Sequence, residues 1–348
     1  MRGDKALKVA FLSRYDRMRA SSRVRVYDYL SCLRLLGWDA QVLPFPRRLN
    51  LARKLAYVLK AIRLCRWAHV IVLQKLVLRE QFVDLLARFN PRLAFDFDDA
   101  LWAPPDALAH DERARHRHKV QAARLHYVLR KAKAVIAGSS YLAEYAGRFT
   151  STVHVVPSSA ALEKYPTKSS LPRERVVLGW IGSPENFTDF QPVHRALRRA
   201  LEELDGRAVL RIVSACPPVF DGVPLEFEPW ELDRDAEFLQ RFDVGLMPLR
   251  DSERSLGRCA FKAIQYMAAG LPVLASPVGA AKEVVVQGET GLLAGTEDEW
   301  VHGVLCLSHD AALRRQMGLA ARARVEALFS VQANGPRLAD ILYKVAFS

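Results

Sequence analysis

Three groups of residues in this 348-residue sequence have the types and spacing that chemistry needs. The segment from Gly257 to Gly279, GRCAFKAIQYMAAGLPVLASPVG, sets Arg258, Lys262 and Gln265 on the first turns of an expected helix beside an apolar stripe of Phe261, Ile264, Ala268 and Leu271. A short apolar run and the turn Ser276-Pro277-Val278-Gly279 follow. Cations at a helix entrance beside a small polar turn suit a phosphate-bearing ligand. Asp96, Asp98 and Asp99 form a carboxylate cluster that reads either as a hard-cation site or as a cap on the turn before Trp102. In Ser21-Ser22-Arg23-Val24-Arg25 a serine is placed to cap a helix, with Arg23 as the phosphate-pairing candidate and Arg25 as surface charge.

Elements must bring these groups together, and the hydrophobic pattern supplies them. Short apolar runs predict strands over 8–13, 40–43, 69–74, 93–97, 134–137 and 153–156, with helical stretches between. Residues 157–172 contain two serine pairs and Pro166 without sustained periodicity, and read as an interdomain linker. Strands recur over 176–181, 210–214, 223–227, 244–247 and 273–275, again with intervening helices. The expectation is an α/β chain with a first domain over 1–157, a linker over 158–172, a second domain over 173–330 and a closing helix over 331–348 that packs back on the first domain. In open parallel sheets, ligands bind where strands end at their carboxyl edge, so the turn at Gly182-Ser183 joins the candidates.

The order of these motifs resembles the retaining glycosyltransferases of family four, the group 1 glycosyltransferases. The resemblance rests on Asp243–Leu249 (DVGLMPL), on 257–279, on Glu283-Val284-Val285, on 288–294 (GETGLLA), and on Leu313-Arg314, Met317-Gly318 and Arg322. In the first half it rests on Ser21–Arg25, Val70–Lys75, DFDDALW at Asp96–Trp102 and Ala137–Ala146. It implies two Rossmann-like domains facing a cleft, the type B glycosyltransferase fold, and transfer of a sugar from a nucleotide-diphosphate sugar to a hydroxyl acceptor, a glycan or glycolipid, with retention and without a metal or other cofactor. On that resemblance the catalytic candidates are Asp98, Asp99, Arg258 and Lys262, with Asp98 contacting a donor-sugar or acceptor hydroxyl and Asp99 behind it or capping a helix. The donor-binding candidates are Gly182, Ser183, Gln265, Ser276, Gly279 and Glu283, and Ser22 and Arg23 stand on the acceptor or phosphate side. Two family glutamates are replaced, by Gly257 and Gln265, as in a branch of the family reading G-K-C-x-F-K-x-x-Q-Y-M-A. The usual basic pair after the first strand of the second domain is also missing, since no basic residue follows Gly182 until Arg195.

Charge separates the halves: residues 1–170 hold 31 Lys and Arg against 14 Asp and Glu, a balance of +17, whereas 171–348 hold 20 against 24, a balance of −4. An anionic partner for the first half follows from this. Residues 47–67 form a basic amphipathic stretch, with Leu51, Leu55, Val58, Leu59 and Ile62 on one face and Arg47, Arg48, Arg53, Lys54, Lys60, Arg63 and Arg66 around it. It reads either as a sheet-covering helix or as a helix resting on anionic lipid. Five scattered cysteines without metal spacing and the absence of a long apolar run predict a cytoplasmic protein, peripheral on the inner face of the membrane if attached. No zinc spacing, helix-turn-helix or aromatic-basic RNA pattern is present, and nucleic acid is not expected. The alternatives to a glycosyltransferase are a non-catalytic basic membrane- or polyanion-binding protein and a sugar-nucleotide epimerase.

Overall fold

The computed structural model describes residues 6–46, 50–105, 108, 111–167 and 174–348. The chain divides into two compact units, one comprising Met1–Ala161, Gly257–Cys259 and Val331–Ser348, the other Leu162–Leu256 and Ala260–Ser330. Each is built on a six-stranded, all-parallel sheet, as two Rossmann-like domains are.

The first sheet contains β1 (Leu7–Ser13), β2 (Trp38–Pro44), β3 (Val70–Gln74), β4 (Leu93–Phe97), β5 (Ala134–Ala137) and β6 (Val153–Val155), in the order β2-β1-β3-β4-β5-β6. Alternate side chains leave opposite faces of a strand, and here both faces are covered. Ala10, Leu12, Ile71, Leu73, Phe95 and Phe97 pack with Tyr57, Ala61 and Cys65 of the helix Leu51–Trp67 and with Leu125, Val128 and Leu129 of Glu112–Lys131. Val9, Phe11, Val70, Val72 and Ile136 face the other way, against Leu33 and against Leu338, Ile341, Leu342 and Val345 of the helix Val331–Ala346. The last helix is therefore part of the first unit's core. Chain order and strand order diverge between β1 and β3, which puts the topological switch point outside their carboxyl ends.

The second sheet contains β7 (Val176–Ile181), β8 (Ala208–Ser214), β9 (Leu225–Pro229), β10 (Val244–Met247), β11 (Val273–Ala275) and β12 (Gly291–Leu293), in the order β12-β11-β10-β7-β8-β9. Its switch point lies between β7 and β10. Leu178, Trp180, Leu210, Ile212 and Leu246 pack under His194–Glu203 and Glu297–His309. On the opposite face Tyr266, from the helix Phe261–Ala268, is fully buried and its hydroxyl accepts the Ile181 backbone N–H at 3.1 Å. That bond pins the helix to the carboxyl end of β7.

Several sequence expectations need correction. The predicted strand over 223–227 lies instead at Leu225–Pro229, and β12 was not anticipated. The helix after Gly257 begins only at Phe261, so Arg258 precedes it, and it ends before Leu271. Part of the predicted linker is core: Ser158, Ser159, Ala160 and Ala161 are buried, Asn334 donates to the Ser159 hydroxyl at 3.1 Å, and Val331 N–H bonds Ala160 at 2.9 Å. Residues 168–172 of that stretch, and Arg47 and Arg48 of the basic stretch, lie outside the described residues.

Candidate functional site

At the first unit's switch point the sequence builds a chain of buried ions. The helix Ala20–Arg25 starts after Arg19, which makes no side-chain cap, so the expected serine cap is absent. Both serines sit inside the helix with their hydroxyls directed elsewhere: Ser22 donates to Gln74 Oε1 at 2.8 Å and Ser21 donates to Asp98 Oδ1 at 2.8 Å. Arg25 is not surface charge. It is buried, it donates through Nε and Nη2 to the two oxygens of Asp96 at 3.1 and 2.5 Å, and its Nη1 reaches the Val156 carbonyl at 2.6 Å. Burial opposes the charge on Arg25, and Asp96 more than offsets that, holding the guanidinium above its ordinary range. Burial also pushes the Asp96 carboxyl up, against the pull of Arg25. Arg23, the preferred candidate, is half-buried on the same helix.

Beyond this pair lies Lys75, the last residue of the Val70–Lys75 motif, to which no role was assigned from sequence. The parallel register sets Gln74 opposite Asp96, so the residues that follow the two strands meet at one end of the sheet. Lys75 Nζ lies 2.6 Å from Asp99 Oδ2 and 3.2 Å from Asp98 Oδ1. The helix Glu112–Lys131 is capped by Asp111, which accepts from Ala114 N–H at 3.0 Å. Among the described residues no group of three His, Cys, Asp or Glu side chains is disposed to hold a metal ion. Lys75 is thus a cation in contact with both Asp98 and Asp99.

The segment Gly257–Cys259 belongs to this unit and closes over the Asp98–Ala100 turn. Cys259 Sγ donates to the Asp98 carbonyl at 3.3 Å, and burial, reinforced by the charge on Asp98, pushes the thiol far above its ordinary range, so it serves as a hydrogen-bond donor and not a nucleophile. A Cβ on Gly257 would sit 2.6 Å from the Ala100 backbone nitrogen. The glycine is where it is because two backbones touch, and a glutamate does not fit. Arg258, between them, is half-buried.

The second unit's switch point is built differently, from turns. Gly182 follows β7, and a side chain there would meet Trp180 and come within 2.8 Å of Lys262 Cε. Lys262 leaves the first turn of Phe261–Ala268 and places its ammonium 5.3 Å from the centre of the buried Trp180 ring, a cation–π contact. The structure thus brings Gly182 and Lys262 together beside Trp180. Gly182 itself is not a spare amide, since its N–H bonds the Val213 carbonyl at 3.1 Å. Ser183 is exposed, directly before the 3-10 segment Pro184–Val193. Ser276 is buried at the end of β11, its hydroxyl accepting Leu249 N–H at 3.0 Å, which ties the β10 and β11 loops together. Gly279 adopts a left-handed φ of +54°, with the Leu256 carbonyl 2.6 Å from where a Cβ would stand. Gln265 is buried and donates to the Tyr165 hydroxyl at 3.3 Å, so the amide meant for a ribose already has a protein partner. Glu283 lies exposed on Ala281–Val284.

Helix Leu51–Trp67 has its expected limits but not its expected core face. Tyr57, Ala61 and Cys65 are buried, whereas Leu51, Leu55 and Leu59 are 83%, 59% and 60% exposed. Small Ala61 and Cys65 let the helix lie close to the sheet, and the leucine row turns outward among exposed Arg53, Lys54, Lys60, Arg63 and Arg66.

Comparison with known proteins follows this division. Residues 175–310 match the family described as glycosyl transferases group 1, and so carry a group 1 glycosyltransferase domain. Sucrose-phosphate synthase from Thermosynechococcus elongatus is similar over 98% of this chain and 99% of its own, with a TM-score of 0.72 and 16% identity. Anabaena HepE in complex with UDP-glucose is similar over 97% and 100%, with a TM-score of 0.70 and 15% identity. WaaG, a glycosyltransferase involved in lipopolysaccharide biosynthesis, is similar over 97% and 99%, with a TM-score of 0.68 and 14% identity. At such identities the likeness establishes the fold, two Rossmann-like domains of the type B glycosyltransferase kind, over the whole chain. No curated protein sequence matches this one.

Proposed function

We propose that the protein is a metal-independent glycosyltransferase that takes a nucleotide-diphosphate sugar as donor and a hydroxyl of a glycan or glycolipid as acceptor, with retention at the anomeric carbon. The observation that carries the reading is the convergence of Gly182, Lys262 and Trp180 at the switch point of the sheet whose residues match the glycosyltransferase family. An ammonium held over an indole ring at the carboxyl end of a parallel sheet suits a diphosphate, and HepE, of the same fold, is described with UDP-glucose. In the reaction the bond from the anomeric carbon to the β-phosphate oxygen breaks, a bond to the acceptor oxygen forms on the same face, and the acceptor proton passes to the departing phosphate oxygen. Lys262, with Arg258 and the turns at Gly182-Ser183 and Ser276–Gly279, has the role of stabilising charge on the leaving diphosphate; Gln265 and Glu283 serve the nucleoside, Asp98 and Asp99 the sugar hydroxyls, and Ser22 and Arg23 the acceptor side. The match to an enzyme family favours this reading over a non-catalytic polyanion binder. The test is a panel of nucleotide sugars: one of them raises the melting temperature and is consumed only when an acceptor is added. Formation of an isomeric nucleotide sugar without acceptor indicates an epimerase, and a panel without any thermal shift or turnover overturns the proposal.

The acceptor is proposed to reside at a membrane surface. The outward row of Leu51, Leu55 and Leu59 amid five exposed cations has the make-up of an interfacial helix on anionic lipid. No helix among the described residues is long and apolar enough to cross a bilayer. Sedimentation with anionic but not zwitterionic vesicles, lost on joint replacement of the three leucines by serine, is the expected result; equal sedimentation of variant and parent retires this part.

A further inference from the structure

We infer that Tyr266 is a positioning residue for the donor: seated where the two central strands of the second sheet part, it sets the distance between Gly182 and Lys262 across the crevice proposed to receive the diphosphate. The inference rests on the glycosyltransferase reading above, and adds to it a residue to which no role was assigned from sequence. Three observations carry it. First, β7 and β10 pair only at Leu178–Val244 and Gly179–Gly245. Beyond these positions each strand runs on with its outer neighbour, β7 with β8 as far as Ile181 and β10 with β11 as far as Met247. By register Ile181 would face Met247, so its N–H has no strand carbonyl on that side, and a buried backbone donor must find an acceptor. The Tyr266 hydroxyl is that acceptor, at 3.1 Å. The parting of the strands is the switch point, so a phenol stands in for a strand carbonyl where the fold opens for ligands.

Second, the strands make room for this ring. A Cβ on Gly245 would run into the Tyr266 ring, and one on Gly179, its register partner, into the ring of Phe242. The two rings meet edge to face with centroids 6.4 Å apart, and Tyr266 is fully buried. Paired glycines on adjacent strands thus form a slot that lets the helix Phe261–Ala268 come close to the sheet. Third, that helix is anchored at both ends by different means. Ala260, at its start, gives no side-chain cap. Its far end is braced by Arg322, which donates to the Ala268 carbonyl, and by the close approach of Gly318 to Gly270. The Tyr266 hydroxyl adds a directional bond between helix and sheet.

Packing explains the ring, since phenylalanine would fill the same slot. The hydroxyl is explained by the two ends of its bond. Tyr266 follows Lys262 by one helical turn and shares its face, while Ile181 directly precedes Gly182. One hydrogen bond therefore spans the crevice from the helix that carries the ammonium to the turn that must receive the anion. Burial pushes the Tyr266 hydroxyl above its ordinary range, so it stays neutral beside the backbone donor.

The decisive variant is Tyr266→Phe in the full chain, set in a double-mutant cycle with Lys262→Ala. The ligand is the member of the nucleotide-sugar panel that gives the parent its largest thermal shift. In calorimetric titration Tyr266→Phe is expected to bind it about fivefold more weakly than the parent, the loss of one hydrogen bond's worth of positioning. In the Lys262→Ala background the same substitution is expected to change affinity by less than about twofold, because the hydroxyl acts through the placement of the ammonium. Equal losses in the two backgrounds, or parental affinity in Tyr266→Phe, overturn the positioning role and leave the tyrosine a packing residue. Amide hydrogen exchange reads the anchor without ligand: in the parent Ile181 is expected to exchange as slowly as Leu178 inside the strand, and about tenfold or more faster in Tyr266→Phe. A rapidly exchanging Ile181 in the parent overturns the anchor, and this measurement stands even if Tyr266→Phe does not fold. A parent that binds no member of the panel overturns the functional reading and the donor role together, whereas binding in the parent with an additive cycle overturns the role of Tyr266 alone.

Discussion

The two switch points of this molecule solve the same placement problem by opposite means. Outside β1 and β3 the first unit assembles charged side chains already paired with one another: Arg25 with Asp96, Lys75 with Asp98 and Asp99. Outside β7 and β10 the second unit assembles turns and close backbone approaches, with Lys262 laid over Trp180. A network of buried ions is rigid and keeps its charges fixed whether or not a ligand is present, which suits orientation of neutral hydroxyls. Glycine turns beside a cation leave room for a bulky anion to bring its own charge, which suits a diphosphate. The expectation is that substitutions in the first crevice act on the fold as well as the proposed chemistry, whereas substitutions in the second act on the proposed binding.

The sharpest way to break that contrast is at Arg25. Replacing it with methionine leaves the Asp96 carboxyl buried without its partner, and a loss of about 3–5 kcal/mol in urea-denaturation stability is expected. A loss under 1 kcal/mol would mean that the pair is not the anchor described. Next in size is Gly257→Glu, which reinstates the residue type usual in the family. Because a Cβ there collides with Ala100, the expected outcome is destabilisation by about 1–3 kcal/mol and no gain in turnover. A stable, faster variant would show that the glycine is a loss of function and not a packing requirement.

How much of this was legible beforehand depends on whether the signal is local. Strands β3, β4, β5, β7, β10 and β11 are short runs buried on both faces and bounded by breakers, and their limits were read to within a residue. β12 is three residues long and begins with Gly291, so nothing local separates it from a turn. Gly182 was a candidate because it ends a short apolar run, and Lys262 because it stands in the 257–279 segment. Lys75 was hidden because its partners stand 23 and 24 residues further on, and only the β3–β4 register brings them together. A usable signal did exist, since both strands run from apolar residues into polar ones, QK and DD, at the same end of a parallel sheet. Arg25 was misread for a related reason: it follows Ser22 by three residues and shares its buried helix face, but a serine cap was expected to end that face. On Leu51–Trp67 the larger leucines outweighed Ala61 and Cys65 in the apolar count, although small residues are what a helix close to a sheet requires.

The second crevice gives the smaller effects. Lys262→Ala should leave the melting temperature without ligand unchanged and weaken donor binding roughly tenfold, about 1.4 kcal/mol, as calorimetric titration with the active nucleotide sugar would measure. A fall in ligand-free stability as large as that of Arg25→Met would erase the distinction between the two crevices. The finest test is Tyr165→Phe. The Tyr165 hydroxyl accepts from buried Gln265, and its removal should cost about 0.5–1.5 kcal/mol of stability, the net value of one such bond. The effect on donor binding decides what Gln265 is for. If its amide turns to a ribose hydroxyl when donor arrives, freeing it from Tyr165 lowers the cost of that exchange, and Tyr165→Phe binds donor at least as tightly as the parent. Weaker binding in the variant would mean that Gln265 works through Tyr165, as a brace for the helix that carries Lys262, and would move it from the ligand to the scaffold.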